Sequence, residues 1–300
     1  MPNEPDFAAD LYQGTAASYD RFRLAYPSVL TEDLLARVRP SRKGRLLDLA
    51  CGTGQLAFAL QNSFAETWAV DQEPDMVRLV EAKALRGGHP IRAVAASGEE
   101  LSADPASFEL IAIGNAFHRL RRDEVAGRAS EWLRPGGHLA LCWSNSPWTG
   151  DADWQKRFSE LLNQWQCKLS AHDRLPQAWA GARQARPDLD IVAESGFEPI
   201  GRHEFHIEHR WTITELAGFV YSTSFLAGPL FGDRAPEFEA DLANRLDSHL
   251  HNGALVEEVS FAYDLVRKPT SPNTHRQRQL QPGAWEAGED GCGRAQIGGG

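Results

Sequence analysis

No run of apolar residues in this 300-residue chain approaches the twenty or so needed to cross a bilayer, so no membrane span is expected. The first residues, Met1-Pro2-Asn3-Glu4-Pro5-Asp6, are acidic and polar with no apolar segment behind them, which is not the pattern of a secretory signal. Cysteine is scarce: Cys51, Cys142, Cys167 and Cys292 lie scattered without paired spacing, as expected of reduced thiols in a cytoplasmic protein. Basic residues are in deficit, 31 Lys and Arg against 41 Asp and Glu, for a formal net charge of -10. An extended nucleic-acid footprint needs the opposite balance, so that partner class is excluded. The densest basic cluster, Arg119, Arg121 and Arg122, reads as a solvated face at the start of a helix. No internal repeat of solenoid length is present either.

What the chain does have is Leu46-Leu47-Asp48-Leu49-Ala50-Cys51-Gly52-Thr53-Gly54. An apolar run of buried-strand type carries an acid near its end, a glycine turn follows, and Gln55 to Leu60 continues with a helical pattern. Glycines at such a turn admit a ligand where a Cβ would block it. The free N–H groups opening the helix favour anionic or polar ligand groups. Gly52-x-Gly54-x-x-Ala57 also fits the loose dinucleotide fingerprint, so a nicotinamide-dependent oxidoreductase is an alternative. Asp48 argues against it, because a carboxylate beside the turn gains nothing from a pyrophosphate and does gain from an ammonium and a sulfonium.

This stretch resembles motif I of the class I S-adenosylmethionine-dependent methyltransferases, an acid followed at two or three residues by Gly-x-Gly. Later segments repeat the resemblance in order. Thr67 to Asp71 reads as a second strand ending in an acid, roughly twenty residues past the turn, where a carboxylate can accept both ribose hydroxyls. Gln72 and Met76 follow it, with Pro74 opening a helix. Ile91 to Ala95 reads as a third strand, and Ser97-Gly98-Glu99-Glu100-Leu101 stands where the family often has an acid that contacts the adenine amine. Here Ser97 takes the acid's place. Phe108 to Gly114 matches the fourth strand, Asn115-Ala116-Phe117-His118 the segment beyond it, and Trp132 to Leu141 the helix end, Pro-Gly-Gly turn and fifth strand.

Before the first strand, residues 8 to 40 read as two helices with Tyr12, Tyr19, Phe22 and Tyr26 spacing out an aromatic face. Tyr19 to Pro27 is similar to the lead-in of the trans-aconitate branch of the family, which lies across the cofactor. In that branch an arginine reaches the methionine carboxylate, and Arg23 is the matching residue, although Leu24 replaces the usual proline. On the amphipathic pattern alone, Tyr19 and Tyr26 would equally serve as core contacts.

The resemblance implies an α/β fold: a Rossmann-like, seven-stranded, mostly parallel sheet, helices on both faces, and a helical cap inserted after strand five. It divides the chain into a helical lead-in (1–40), a cofactor-binding core (41–145), cap helices with two final strands (146–268) and a disordered tail (269–300). A helix is expected from about Asp151 to Lys168, capped by Thr149 or Asp151, and a short one before Gly196. A strand follows from Glu198 to about Glu208, then a helix with a capping box at Thr212 running to about Phe225. A further helix over Ala235 to Leu250 precedes a last strand from Val259 to Val266.

The implied donor is S-adenosyl-L-methionine. The residues expected to hold it are Tyr19, Arg23, Asp48, Ala50, Gly52, Gly54, Asp71, Gln72, Met76, Ser97, Gly98, Glu99, Asn115 and Phe117. His118, just beyond strand four, is the candidate general base, with packing or a loop hydrogen bond as its other reading. His203, His206 and His209 invite a metal, but on a strand His206 faces away and the other two are roughly twenty ångströms apart. His249 and His251 share no face of the expected helix either, so no metal is expected. Trp143, Trp148, Trp154, Trp165, Trp179 and Trp211 cluster in or beside the inserts, suiting an apolar or aromatic small-molecule acceptor. The expected species is a monomer or homodimer. The remaining alternative is a protein that binds S-adenosylmethionine without transferring its methyl group.

Overall fold

The computed structural model describes residues 7–8, 10–176 and 179–270. Seven strands form one sheet: β1 (Arg45–Leu49), β2 (Glu66–Asp71), β3 (Ile91–Ala95), β4 (Phe108–Gly114), β5 (Leu133–Ser144), β6 (Glu198–Trp211) and β7 (Leu255–Arg267). Their order is β3-β2-β1-β4-β5-β7-β6. The first five pair in parallel, and β7 runs antiparallel between β5 and β6. The Rossmann-like sheet expected from the sequence is therefore present.

Parallel strands are covered on both faces, which is why β1 and β4 are near-continuous apolar runs. Leu47, Leu49, Val70, Ile111, Ile113 and Leu141 face α5 (Arg122–Trp132) and α8 (Asp188–Glu194). Leu46, Leu110, Ala112 and Ala140 face α2 (Ser28–Val38) and α3 (Gln55–Leu60). A third core is the cap itself, built from α6 (Asp153–Lys168), α9 (Ile213–Tyr221) and α10 (Ala235–Leu246) around Trp154, Phe158, Trp165, Phe225, Phe238 and Leu242. The remaining helices are α1 (Ala16–Phe22), α4 (Pro74–Gly87) and α7 (Trp179–Ala185). Cys51 and Cys142 are buried free thiols and Cys167 is exposed.

Several sequence expectations shift. Between Phe108 and Leu110 the register jumps from Leu133 to His138, so Pro135-Gly136-Gly137 is an irregularity within β5 rather than a turn before it. The first turn of α6 is not capped by Thr149 or Asp151. Gln155 Oε1 instead accepts the Ala152 N–H at 3.2 Å. The Thr212–Glu215 capping box is formed, but α9 stops at Tyr221. The helix expected to reach Leu250 ends at Leu246, and His251 lies in an isolated bridge to Ala254. β6 and β7 each run several residues longer than expected, because they pair with each other along their whole length. Arg122 is the clearest correction: it is buried and ion-pairs with Asp188 at 2.9 Å, fastening α5 to α8. Among the described residues no helix is long and apolar enough to cross a membrane. The expected tail, apart from Pro269 and Thr270, lies outside the described residues, as does Cys292.

Candidate functional site

The order of the sheet reverses between β1 and β4, and a crevice opens at the carboxyl ends of the strands there, where open α/β sheets bind ligands. The turn leaving β1 is tightly wound: Ala50, Gly52 and Gly54 all take left-handed backbone angles, φ 53°, 54° and 83°. At Gly52 a Cβ would lie 3.0 Å from the Tyr19 ring, so glycine is required on two counts. Asp48 reaches under the turn, and its Oδ2 accepts the Ala57 N–H of α3 at 2.7 Å. Its carboxyl is pushed up to about 7 by burial, against the Ala57 hydrogen bond and with help from the charge of Asp71. Lys83 of α4 donates to the Thr53 carbonyl and pairs with Asp20 of α1, joining the turn to the lead-in helix.

Asp71, at the end of β2, joins two loops. Its Oδ2 accepts the Gly52 N–H at 2.7 Å and its Oδ1 the Glu73 N–H at 2.9 Å. Burial raises its pKa, opposed by the N–H groups of Glu73, Gly52 and Gln72. Each oxygen keeps a lone pair for a ligand hydroxyl. Gly52 and Asp71 line a cavity of about 250 Å³, together with Tyr19, Ala50, Gln72, Met76, Ser97, Gly98, Glu99 and Asn115. Ten of the expected cofactor residues are thus gathered in one cleft. Ser97 Oγ accepts the Glu100 N–H at 3.2 Å, and Glu99 Oε1 accepts the Arg121 N–H at 2.8 Å.

The others lie elsewhere. Gly54 packs on Phe58 and Val80 beneath the turn. Arg23 and Asp48 line a smaller cavity of about 30 Å³, shared with Tyr26, Asn145, Trp211 and Glu257. Arg23 sits between the Tyr19 and Phe219 rings, 4.9 and 4.7 Å from their centroids, and donates to Ser222 Oγ at 2.9 Å. Glu257 accepts from Trp211 Nε1, Asn145 and Gln155. Burial lifts its carboxyl to about 7, against the Trp211 and Asn145 hydrogen bonds.

Phe117 and His118 line a third cavity, of about 340 Å³, on the other side of Asn115 and Ala116. His118 stacks on Trp179 at 5.5 Å, and its Nε2 is buried with no hydrogen-bond partner among the described residues. Burial, with Arg119, Arg183 and Arg122 nearby, holds it well below its ordinary pKa, so the ring is neutral. Trp148, Trp154, Trp165 and Trp211 belong to the cap core, and Trp143 lines the His118 cavity. His206 Nδ1 lies 3.7 Å from Glu258, His203 packs on Tyr263 and His209 on Trp211.

The cleft also takes residues that sequence reading passed over: Phe7, Leu11, Tyr12, Glu73, Arg119 and Leu120. Tyr12 belonged to a visible aromatic face, but nothing in the sequence separated an Arg119 that faces the cleft from Arg121 and Arg122.

Residues 46–137 match the family described as methyltransferase domain. That stretch holds the glycine turn, Asp71 and the Asn115 segment. An uncharacterised methyltransferase of Mycobacterium tuberculosis is 30% identical over 134 residues, 44% of this chain and 51% of that protein. A Saccharomyces cerevisiae protein assigned as an S-adenosylmethionine-dependent methyltransferase is 28% identical over 151 residues, 49% of this chain and 50% of that protein. The chain spans about half the length of the curated relatives it matches. Among solved structures, a protein of Anaeromyxobacter dehalogenans assigned as a type II methyltransferase aligns with TM-score 0.59 and 21% identity. It covers 84% of this chain and 100% of its own. The cyclase SpnF aligns with TM-score 0.53 and 16% identity over 90% of this chain and 98% of its own. At such identities the likeness is one of fold, and a protein named as a methyltransferase and one named as a cyclase both share it with this chain.

Proposed function

We infer that this chain transfers a methyl group from S-adenosylmethionine to a small-molecule acceptor. The observation that carries the reading is the convergence of Gly52, Asp71 and Asn115 on one cleft at the reversal point of the sheet. The cofactor fits these residues. Asp71, with a lone pair left on each oxygen, would hold the ribose hydroxyls, and the glycine turn with the Tyr19 ring packed on Gly52 would hold the sulfonium end, where the group would supply its activated methyl. Tyr12 and Phe7 cover the cleft from the lead-in side. S-adenosylmethionine supplies an already activated methyl group, so the protein has chiefly to align the acceptor and exclude water.

The small cavity holding Glu257 shares Tyr19, Ala50, Gly114 and Asn115 with the cleft, and is one place for the reacting end of an acceptor. His118 would serve as base only for an acceptor entering its own cavity, which meets the cleft at Asn115 and Ala116. Its depressed basicity makes that assignment the weaker of the two.

The fold shared with a cyclase favours one second reading, a protein that binds S-adenosylmethionine without transferring its methyl group. Incubation with methyl-labelled S-adenosylmethionine and pooled small-molecule acceptors, followed by mass spectrometry, separates the two. Labelled product that depends on the protein supports transfer. Tight cofactor binding without labelled product across chemically diverse pools supports the second reading.

A further inference from the structure

Arg119 ends the single turn Phe117–Arg119 that follows β4 and lines the main cleft. Its guanidinium carbon lies 5.6 Å from the Phe7 ring centroid and 5.5 Å from that of Tyr12. Two rings from the lead-in segment therefore hold the charged group in place. Its Nε and Nη1 are buried, and among the described residues neither has a hydrogen-bond partner. A guanidinium cannot shed its proton to escape burial. Buried donors of this kind are satisfied in functioning proteins, by an anion above all.

Neighbouring arginines are committed. Arg121 pairs with Glu124 at 3.2 Å, Arg122 with Asp188 at 2.9 Å, and Arg23 donates to Ser222. Of the nearby acids, Asp71 accepts the Gly52 and Glu73 N–H groups and Glu99 the Arg121 N–H, while one Glu73 oxygen is buried without a hydrogen-bond partner among the described residues. Arg119 is linked to the glycine turn through two rings. Tyr12 meets Tyr19 edge-on at 6.2 Å, and Tyr19 lies over Gly52. Its positive charge acts on the Tyr19 hydroxyl, lowering a pKa that burial has pushed up to about 12.

We propose that Arg119 is the carboxylate-binding residue of this cleft. Because Asp71, Glu73, Glu99 and Glu100 all line the same space, a singly charged carboxylate fits better than a phosphate dianion. The assignment rests on the methyltransferase reading, and the carboxylate has two sources: the amino-acid tail of the cofactor, or an acidic acceptor. It moves the role the sequence suggested for Arg23 onto a residue outside the lead-in.

The test is calorimetric titration of the full chain and its Arg119→Met and Arg119→Lys variants. The ligands are S-adenosylhomocysteine and 5′-methylthioadenosine, which lacks the amino-acid tail. Benzoate is then titrated into protein saturated with S-adenosylhomocysteine. If the carboxylate is the cofactor's, Arg119→Met loses about ten- to a hundredfold in S-adenosylhomocysteine affinity and nothing for 5′-methylthioadenosine, with Arg119→Lys in between. If it is the acceptor's, both nucleosides bind unchanged, while benzoate binding seen in the wild type disappears in Arg119→Met. Equal losses for both nucleosides, or no change with any probe, overturn the proposal. Failure of the wild type to bind either nucleoside overturns the methyltransferase reading itself, and the proposal with it.

Discussion

Asp71 illustrates how one carboxylate can organise a site before any ligand arrives. It holds the turn after β1 and the start of α4 together through two backbone N–H groups, and the same oxygens face the cleft. Asp71→Ala should weaken S-adenosylhomocysteine by about 1.5–3 kcal/mol, the range for a hydrogen bond to a charged group. Isothermal titration reads this directly, and unchanged affinity would remove Asp71 from the site. Asp48 gives a pH signature. Its folded pKa, about 7, lies above the unfolded value, so the native state holds a proton that the unfolded chain has released. Stability therefore falls as pH rises from about 4 to about 7 and levels off above that. Asp48→Asn should be little changed against the wild type at about pH 4 and relatively more stable at about pH 8, by on the order of a few kcal/mol. Urea midpoints at the two pH values check this, and Glu257→Gln should behave alike, since its folded pKa is raised in the same way. At this scale the meeting of Gly52 and Asp71 was legible because it follows from short spacing along the chain, whereas Asp48, expected at the cofactor, instead holds the Ala57 N–H beneath the turn. Arg119 was not legible, because its direction depends on Phe7 and Tyr12 more than a hundred residues away.

Between elements, close approach and charge do the fastening. α1 packs on α9 where Gly218 faces Phe22, and a Cβ there would lie 2.3 Å from the ring. Gly218→Ala should overpack this seam and cost about 1–3 kcal/mol, read by chemical denaturation. Arg122 joins α5 to α8 through Asp188. Losing one partner of a fully buried pair costs about 3–5 kcal/mol, but Arg183 also holds Asp188 at 2.9 Å, so Arg122→Ala should cost less, about 2–3 kcal/mol. A loss near zero would show that the pair is solvated after all. Strands β1 to β4 were readable because their apolar runs end in glycine turns and acids. The lengths of β6 and β7 were not, since alternating strands with polar faces owe their extent to each other. The Pro135-Gly136-Gly137 irregularity was misplaced for a related reason: Gly136 and Gly137 bond to Lys268, a residue far along the chain.

For the molecule as a whole, the sheet provides a crevice, Phe7, Leu11 and Tyr12 of the lead-in line it, and Trp211 and Phe219 line a small cavity with Ala50, Gly114 and Ser144 at the ends of the strands. The cap was legible as helices but not as a separate core, and most of its tryptophans fill that core instead of lining a ligand site. A ligand that binds only the folded state should raise stability by about 2.7 kcal/mol at a hundred times its dissociation constant. S-adenosylhomocysteine at that excess should thus raise the unfolding temperature by roughly 5–10 °C, and its removal by dialysis should reverse the gain. The central claim is that the cleft around Gly52 and Asp71 is built for S-adenosylmethionine, and isothermal titration of the wild type with S-adenosylmethionine, S-adenosylhomocysteine and NAD tests it most directly. Micromolar binding of the first two with none of the third is the predicted result. Binding of NAD alone would contradict it.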